Sequence, residues 1–168
     1  MDVAALFVET YDRLPHLVRA AVADLEPEQL ATAPQPGANT IGWLVWHLTR
    51  VEDDQIAQVA GFEQVWASGG WADRFGLPAD PSDIGYGHTA EQVASVRPSS
   101  AQLLIDHHDA VHEGALGFLR GLTSSDLDRV VDASWDPPVT LGVRLVSVVD
   151  DCLQHAGQAA YIRGLLVP

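Results

Sequence analysis

Residues Thr40–Asp54 read "TIGWLVWHLTRVEDD", an almost unbroken apolar run with one ionisable ring, His47, in its middle. Thr40, or Asn39 before it, can cap free backbone N–H groups, and Gly61 is a natural stop, so the stretch predicts a helix over about 40–60. Leu44, Leu48, Val51 and Gln55 form one stripe of that helix. Leucine would pack at position 47 without cost. A histidine there is either a core residue satisfied by a carbonyl or a group aimed at something.

Three more stretches carry helical periodicity. The first runs from about Asp2 to Leu25, with Leu6, Thr10, Leu14, Leu17, Ala21 and Leu25 on one stripe and a kink or break expected at Pro15. The Pro- and Gly-rich turn after it has room for one helical turn around Glu28. Another helix follows Pro98, where Ser99 and Gln102 have capping-box spacing. Its core stripe is Leu104, His108, Val111, Ala115, Phe118 and Leu122, which leaves His107 and His112 peripheral. The last starts at Thr140 and runs to about Gly164, with Val148, Cys152, Ala156 and Ala159 on its inner side. Between the second and third lies a long connection, 61–98, whose Trp66, Trp71 and Phe75 predict that it packs down as a lid. A 20-residue helix spans about 30 Å, and this segment is long enough to cross that distance and set its flanking helices parallel. Residues 123–138 read as a second irregular stretch. The predicted fold is all-α, a single-domain four-helix bundle with a long crossover between helices two and three.

Composition narrows the function. The 168 residues carry a formal charge of −14, and all nine basic residues are arginine. Such a surface repels phosphate backbones and anionic lipid, which argues against nucleic-acid and membrane partners. One cysteine, Cys152, excludes an intramolecular disulfide framework and fits a reducing cytoplasm; the N-terminus lacks the pattern of a signal peptide. Cytoplasmic location is the expectation.

The last helix contains "DCLQHAGQ". Asp151 and His155 are four apart and share a face, one turn above the other, so they form a bidentate metal half-site. His47 from the second helix can supply a third ligand and leave positions open for water or substrate, the catalytic arrangement. The plainer readings are an i,i+4 hydrogen bond between Asp151 and His155 and a core role for His47. His108 and His112 also have i,i+4 spacing and read as pocket lining or surface groups. His88, in "GYGHT", can approach a substrate from the lid. Cys152 points about 100° away from Asp151 and reads as a small core residue. Asp54 lies two turns beyond His47 and reads as a solvated helix end. Trp43, Trp46 and Trp135 read as core or interface.

"GWLVWHLTRVEDD", a long crossover and a final "DxxxHAGQ" together resemble the DinB-like superfamily of four-helix metalloproteins, over essentially the whole chain. The resemblance implies that His47, Asp151 and His155 are metal ligands. Many members carry histidine where Asp151 stands. A carboxylate there resembles the branch of mycothiol-dependent maleylpyruvate isomerase and its small actinobacterial relatives regarded as mycothiol S-transferases. Aspartate is one methylene shorter than that branch's usual glutamate, and the isomerase's second domain has no counterpart in this sequence.

The resemblance implies a metal-dependent thiol transferase: a divalent ion, zinc first and nickel second, and a low-molecular-weight thiol co-substrate that attacks a small electrophile. His88 and His108 are the candidates to position or protonate that substrate, and Arg144 and Arg163 to contact the thiol's polar part. A homodimer is the expected assembly. A non-catalytic metal-binding bundle and a metal-assisted hydrolase, with Asp54 as its base, are the competing functions.

Overall fold

The computed structural model describes residues 1–166. Its N-terminal helical stretch is split. α1 (Val3–Tyr11) ends at Asp12, and α2 (Leu14–Val22) begins with Pro15 in its first turn, where a missing N–H costs nothing. The expected stripe is corrected in part: Leu14, Ala21 and Leu25 are buried as expected, and the inner spacing runs unbroken across the break, but it passes through different neighbours elsewhere. Leu6 and Leu17 face solvent, while Phe7, Tyr11, Leu14, Val18 and Ala21 face the core. Tyr11 also donates its hydroxyl to the Leu145 carbonyl at 2.8 Å. The turn expected around Glu28 is α3 (Pro27–Leu30).

The apolar run is α4 (Ile41–Ala60). Thr40 caps it by accepting from the Trp43 amide, and Gly61 ends it in the left-handed region at φ +78°. The crossover holds three short helices: α5 (Val65–Ser68), α6 (Trp71–Phe75) and α7 (Ala90–Ser95). Trp66, Trp71 and Phe75 are buried, so the expected packing-down holds for this part, which is core rather than loose cover. α8 (Ala101–Leu119) is capped by Ser100, whose hydroxyl accepts from Leu103, one residue later than the expected Ser99.

After α8 the chain is less irregular than expected. A 3-10 turn (Ser124–Asp128) leads into an antiparallel ribbon of β1 (Val130–Asp132) and β2 (Val139–Thr140), pairing Val130 with Thr140 and Asp132 with Val139. Trp135, at the ribbon's tip, is 66% exposed and not a core residue. α9 (Leu141–Leu166) closes the bundle, with Val148, Cys152, Ala156 and Ala159 inside as expected.

Directions follow from contacts. Gly42, at the start of α4, lies against Pro98, just before α8, and Gly114 of α8 lies near Phe62, just after α4. The two helices therefore run parallel, which only the long crossover permits. α9 runs back along α4: Cys152 meets Leu48, while His155 meets His47 at the earlier turn. The architecture is the expected all-α four-helix bundle, with α1 and α2 together acting as one member. No helix among the described residues is long and apolar enough to cross a membrane.

His107 and His112 are a correction, because both are buried. His107 sits among Trp66, Trp71 and Phe75, and burial holds its pKa well below the ordinary value. His112 lies between Glu52 (3.2 Å) and Asp12 (3.1 Å), and His108 lies 3.5 Å from the same Glu52. Glu52 is fully buried. Burial pushes its carboxyl up, but the hydrogen bonds and charges of His108 and His112 prevail and hold it at about 2. Burial pulls His112 down, and Glu52 and Asp12 more than offset it, so its pKa is raised.

The stability contributed by this group has a defined pH window. The Glu52 part is complete above its unfolded value of 4.5 and is lost as pH falls toward 2. The His112 part is complete below its unfolded value of 6.5 and is lost as pH rises through the raised folded value. Urea unfolding should therefore show stability falling above neutral pH. His112→Ala should flatten that slope and cost about 3 kcal/mol at about pH 6, because it leaves a buried carboxylate short of its counter-charge. An unchanged slope in the variant would clear His112 as its source.

Candidate metal centre

α4 and α9 bring their chemistry together at one level. His47, Asp151 and His155 each offer a ligand atom, and these atoms lie within 4.8 Å of one another. The i,i+4 step on α9 stacks the carboxylate above the imidazole, and the His155 Nε2 is 3.6 Å from Asp151 Oδ1. The His47 and His155 rings approach edge to face with centroids 4.7 Å apart. The other carboxylate oxygen, Asp151 Oδ2, is buried with no hydrogen-bond partner. A buried carboxylate oxygen is rarely left unpaired. An orphaned carboxylate oxygen on a residue grouped with two imidazoles, in a His₂Asp donor set, fits a divalent cation.

Both imidazoles are oriented by partners on their far nitrogen. His47 Nδ1 donates to the Ile84 carbonyl, and His155 Nδ1 donates to Gln158 Oε1 at 2.9 Å. Each ring is thereby turned so that Nε2 faces the cluster, the support that metal-ligating histidines ordinarily have. Burial lowers the His47 pKa, and the neighbouring His155 and His88 add to the effect against the Ile84 carbonyl and Asp151. These effects favour the neutral ring at His47, the form that metal binding requires. Asp151 raises His155, helped by Gln158, so a metal there would displace a proton. The plainer readings fare differently: His47 is bonded to a carbonyl, whereas His155 Nε2 and Asp151 Oδ1, 3.6 Å apart, lie beyond hydrogen-bond range. Neither accounts for the orphaned oxygen.

The strap that supplies Ile84 is held from beneath. Arg50, fully buried on α4, donates to the Pro81 carbonyl and Gln64 Oε1, each at 2.9 Å, and to the Asp83 carbonyl at 3.4 Å. It pairs with Asp53 at 3.1 Å, and Asp53 in turn accepts the Val65 and Trp66 amides that open α5. Sequence reading missed Arg50, Asp53, Gln158 and Ile84 as supports. An arginine three residues before an aspartate inside an apolar helix was the available signal. A backbone carbonyl leaves none.

The other nominated residues fall apart from the cluster in different ways. His88 packs against Trp43 and Trp46; Trp43 Nε1 donates to its Nδ1 at 3.1 Å and its Nε2 lies 2.8 Å from Asp83, so both nitrogens are engaged. His108 is buried with Glu52 and does not line the cavity beside the cluster. Asp54 accepts from Gln55 and Gln64. Arg163 donates to the Ala23 carbonyl at the end of α2. Arg144 pairs with Asp132 at 3.3 Å, two turns of α9 before Asp151. Cys152 is buried, and its thiol is pushed well above the ordinary range by burial first and by the charges of Glu52 and Asp151.

A cavity of about 210 Å³ opens beside His47 and Asp151, walled by Val51, Gln55, Ile84, Tyr86, Ser147 and Val148. Fold and site together define a four-helix bundle with a three-residue candidate metal centre between its second and last long helices, open on one side. The chain belongs to the DinB superfamily, whose family pattern matches residues 10–159. It is also similar to the crystal structure of a conserved protein from Enterococcus faecalis, with a TM-score of 0.91 and 35% identity over 99% of this chain and 98% of that one. Comparison with curated proteins gives no match.

The strap's geometry can be tested through its glycines. Gly85 has φ +91°, and a Cβ there would lie 2.9 Å from the Trp46 ring and 3.0 Å from His47 Nδ1. Gly87 has φ +75° but faces open space. Gly87→Ala should cost about 1 kcal/mol of backbone strain and leave the near-UV circular dichroism of the tryptophans unchanged. Gly85→Ala should cost more, about 3 kcal/mol, and alter that spectrum, because Trp46 and His47 must move. Equal effects from the two variants would mean that the strap does not press on His47.

Proposed function

We propose that this protein is a metal-dependent transferase that uses a low-molecular-weight thiol of the mycothiol type against a small electrophile. The observation that carries the reading is the Asp151–His155 half-site meeting His47 at the edge of a mostly apolar cavity. Zinc suits a His₂Asp set, with nickel the second choice.

A divalent ion held by these side chains supplies Lewis acidity that favours ionisation of a thiol at neutral pH. The chain's own residues supply the rest. His47 and His155 turn Nε2 toward the cluster, held by Ile84 and Gln158. Val51, Ile84 and Val148 exclude water from the approach to the sulfur. Gln55 and Ser147 offer polar contacts to the electrophile. Cys152 cannot serve as the nucleophile, buried and with its thiol pushed up, so the nucleophile comes from solution.

The engagement of His88 and Asp54 favours thiol over water as that nucleophile. Hydrolysis needs a base near the activated water, whereas an ionised thiol needs none. With both nitrogens engaged, His88 positions the strap, and His108, buried beside Glu52, stabilises the core; neither acts as proton donor in this reading. Arg144 is kept as a contact for the polar part of the thiol, and Arg163 is not. A non-catalytic metal module is the competing reading, favoured by the absence of a free acid or base in the cavity lining. Val146, Leu153 and Tyr161, exposed along the outer face of α9, support pairing of two chains.

Protein purified without chelator or affinity-tag nickel should contain about one zinc or nickel ion per chain, and both His47→Ala and Asp151→Ala should lose it. Cobalt-substituted protein should develop a sulfur-to-metal charge-transfer band with 2-mercaptoethanol. Retained metal in His47→Ala would sink the ligand assignment. Full metal occupancy with no thiol band would favour the binding module.

A further inference from the structure

The cavity beside the cluster has a neighbour at Ser147. The same side chain lines a second cavity of about 330 Å³, bounded by Asp132, Trp135, Val139, Val143 and Arg144. Arg144, Val148, Asp151 and His155 lie along one side of α9, and Arg144 precedes Asp151 by seven residues, or about 10 Å of helix. The two depressions are therefore neighbours that meet at Ser147, with the candidate metal centre beside one and the β1–β2 ribbon beside the other.

The two ends differ in chemistry. Near the cluster the walls are mostly aliphatic. At the ribbon, Trp135 is exposed, whereas the chain's other four tryptophans are buried. Asp132 accepts from the Ser134 amide at 2.9 Å and the Ser134 hydroxyl at 2.6 Å, and it pairs with Arg144. Those Ser134 bonds first, then Arg144 and the Trp135 indole, hold the Asp132 carboxyl below its ordinary value. The ribbon thus presents an aromatic face beside a neutralised ion pair. An anionic group gains little there, because Asp132 already answers the arginine's charge. A flat apolar ring would leave the remaining guanidinium N–H groups without partners. An uncharged ring with apolar faces and hydroxyl edges satisfies both.

We infer that this second cavity is a binding subsite for an uncharged polyhydroxylated ring, with Trp135 as its stacking platform and Arg144 and Ser147 as its hydrogen-bonding edge. It rests on the reading of the neighbouring cluster as the reaction centre only for its purpose, as the place that holds the tail of the co-substrate. The ring's presence or absence can be measured without metal or turnover.

The probe is methyl β-D-glucopyranoside, titrated into full-length protein and followed by the Trp135 indole N–H and the Ser147 amide in ¹H–¹⁵N spectra. We expect saturable shifts with a Kd in the millimolar range, or about −4 kcal/mol. Trp135→Ala, at an exposed position, should keep its helical circular dichroism and weaken the Ser147 response at least tenfold. Arg144→Gln should weaken it several-fold. Glucuronate, the same ring with a carboxylate, and cyclohexylmethanol, a ring without the hydroxyl edge, should both bind more weakly. The inference is overturned if the glucoside gives no saturable shift, if either comparison probe binds as tightly, or if Trp135→Ala binds normally. Metal analysis of the wild-type protein beside its glucoside titration separates the two readings. In the wild type, a glucoside shift without metal uptake supports the subsite and sinks the metal centre. Metal uptake with no glucoside shift does the reverse.

Discussion

The centre depends on a buried arginine. Arg50 has no exposure to water, and its guanidinium spreads donors over Asp53, Gln64 and the carbonyls of Pro81 and Asp83. Guanidinium suits this task because its planar fork is rigid and weakly hydrated compared with an ammonium. The strap it holds places the Ile84 carbonyl on His47, and that bond decides which nitrogen faces the cluster. One residue earlier, Asp83 engages His88, and His88 engages Trp43, whose ring stacks on His47 with centroids 4.6 Å apart. His47 is therefore held on its edge and on its face by groups that trace back to the same strap.

A helix that reads as apolar turns out to be the polar axis of the bundle. His47, Arg50, Glu52 and Asp53 are all buried on α4. Each points at a different neighbour: α9, the crossover strap, α8 and the start of α5 respectively. This follows from α4 being surrounded as far as Asp53, since every residue from Ile41 to Asp53 is buried and that part of the helix has no solvent face on which to place charge. Buried charges must be paired, and each pairing fixes the position of one neighbour. The polar residues of α4 thus orient the elements around it, while its leucines and tryptophans supply the burial.

How much of this was legible in the sequence depends on whether an interaction is local. The ends of α4, the inner stripe of α9 and the Asp151–His155 spacing follow from one turn of helix and could be read directly. The crossover's length, against the length of a helix, was enough to set α4 and α8 parallel. The stripe of α1 and α2 was half right: Leu14, Ala21 and Leu25 are buried, but Leu6 and Leu17 lie one residue before the true inner positions Phe7 and Val18, and two neighbouring apolar residues offer periodicity no way to choose between them. His107 and His112 were misplaced for another reason. An amphipathic stripe assumes one buried face, but α8 packs against α4, against α1 and α2, and beneath the crossover. Arg50 and Asp53 were invisible as supports because their partners lie in a loop whose path no local rule predicts.

The aspartate at position 151 bears on how the centre tolerates its own substitution. A shorter carboxylate reaches less far from α9, so the neighbouring helix must come closer or the ligand set opens. Small residues line the seam between these helices: Cys152, Ala156 and Ala159 of α9 are buried, and the Cys152 thiol comes within 3.4 Å of the Leu48 carbonyl. A backbone approached that closely leaves little room for a longer side chain one position away. The three ligand atoms nevertheless remain within 4.8 Å of one another. The short reach of Asp151 is thus matched by the close packing of α9 on α4, and the small residues that permit that approach are as much a part of the candidate centre as His47, Asp151 and His155. The same approach also brings Ser147 and Val148 to the edge of the cavity beside the centre.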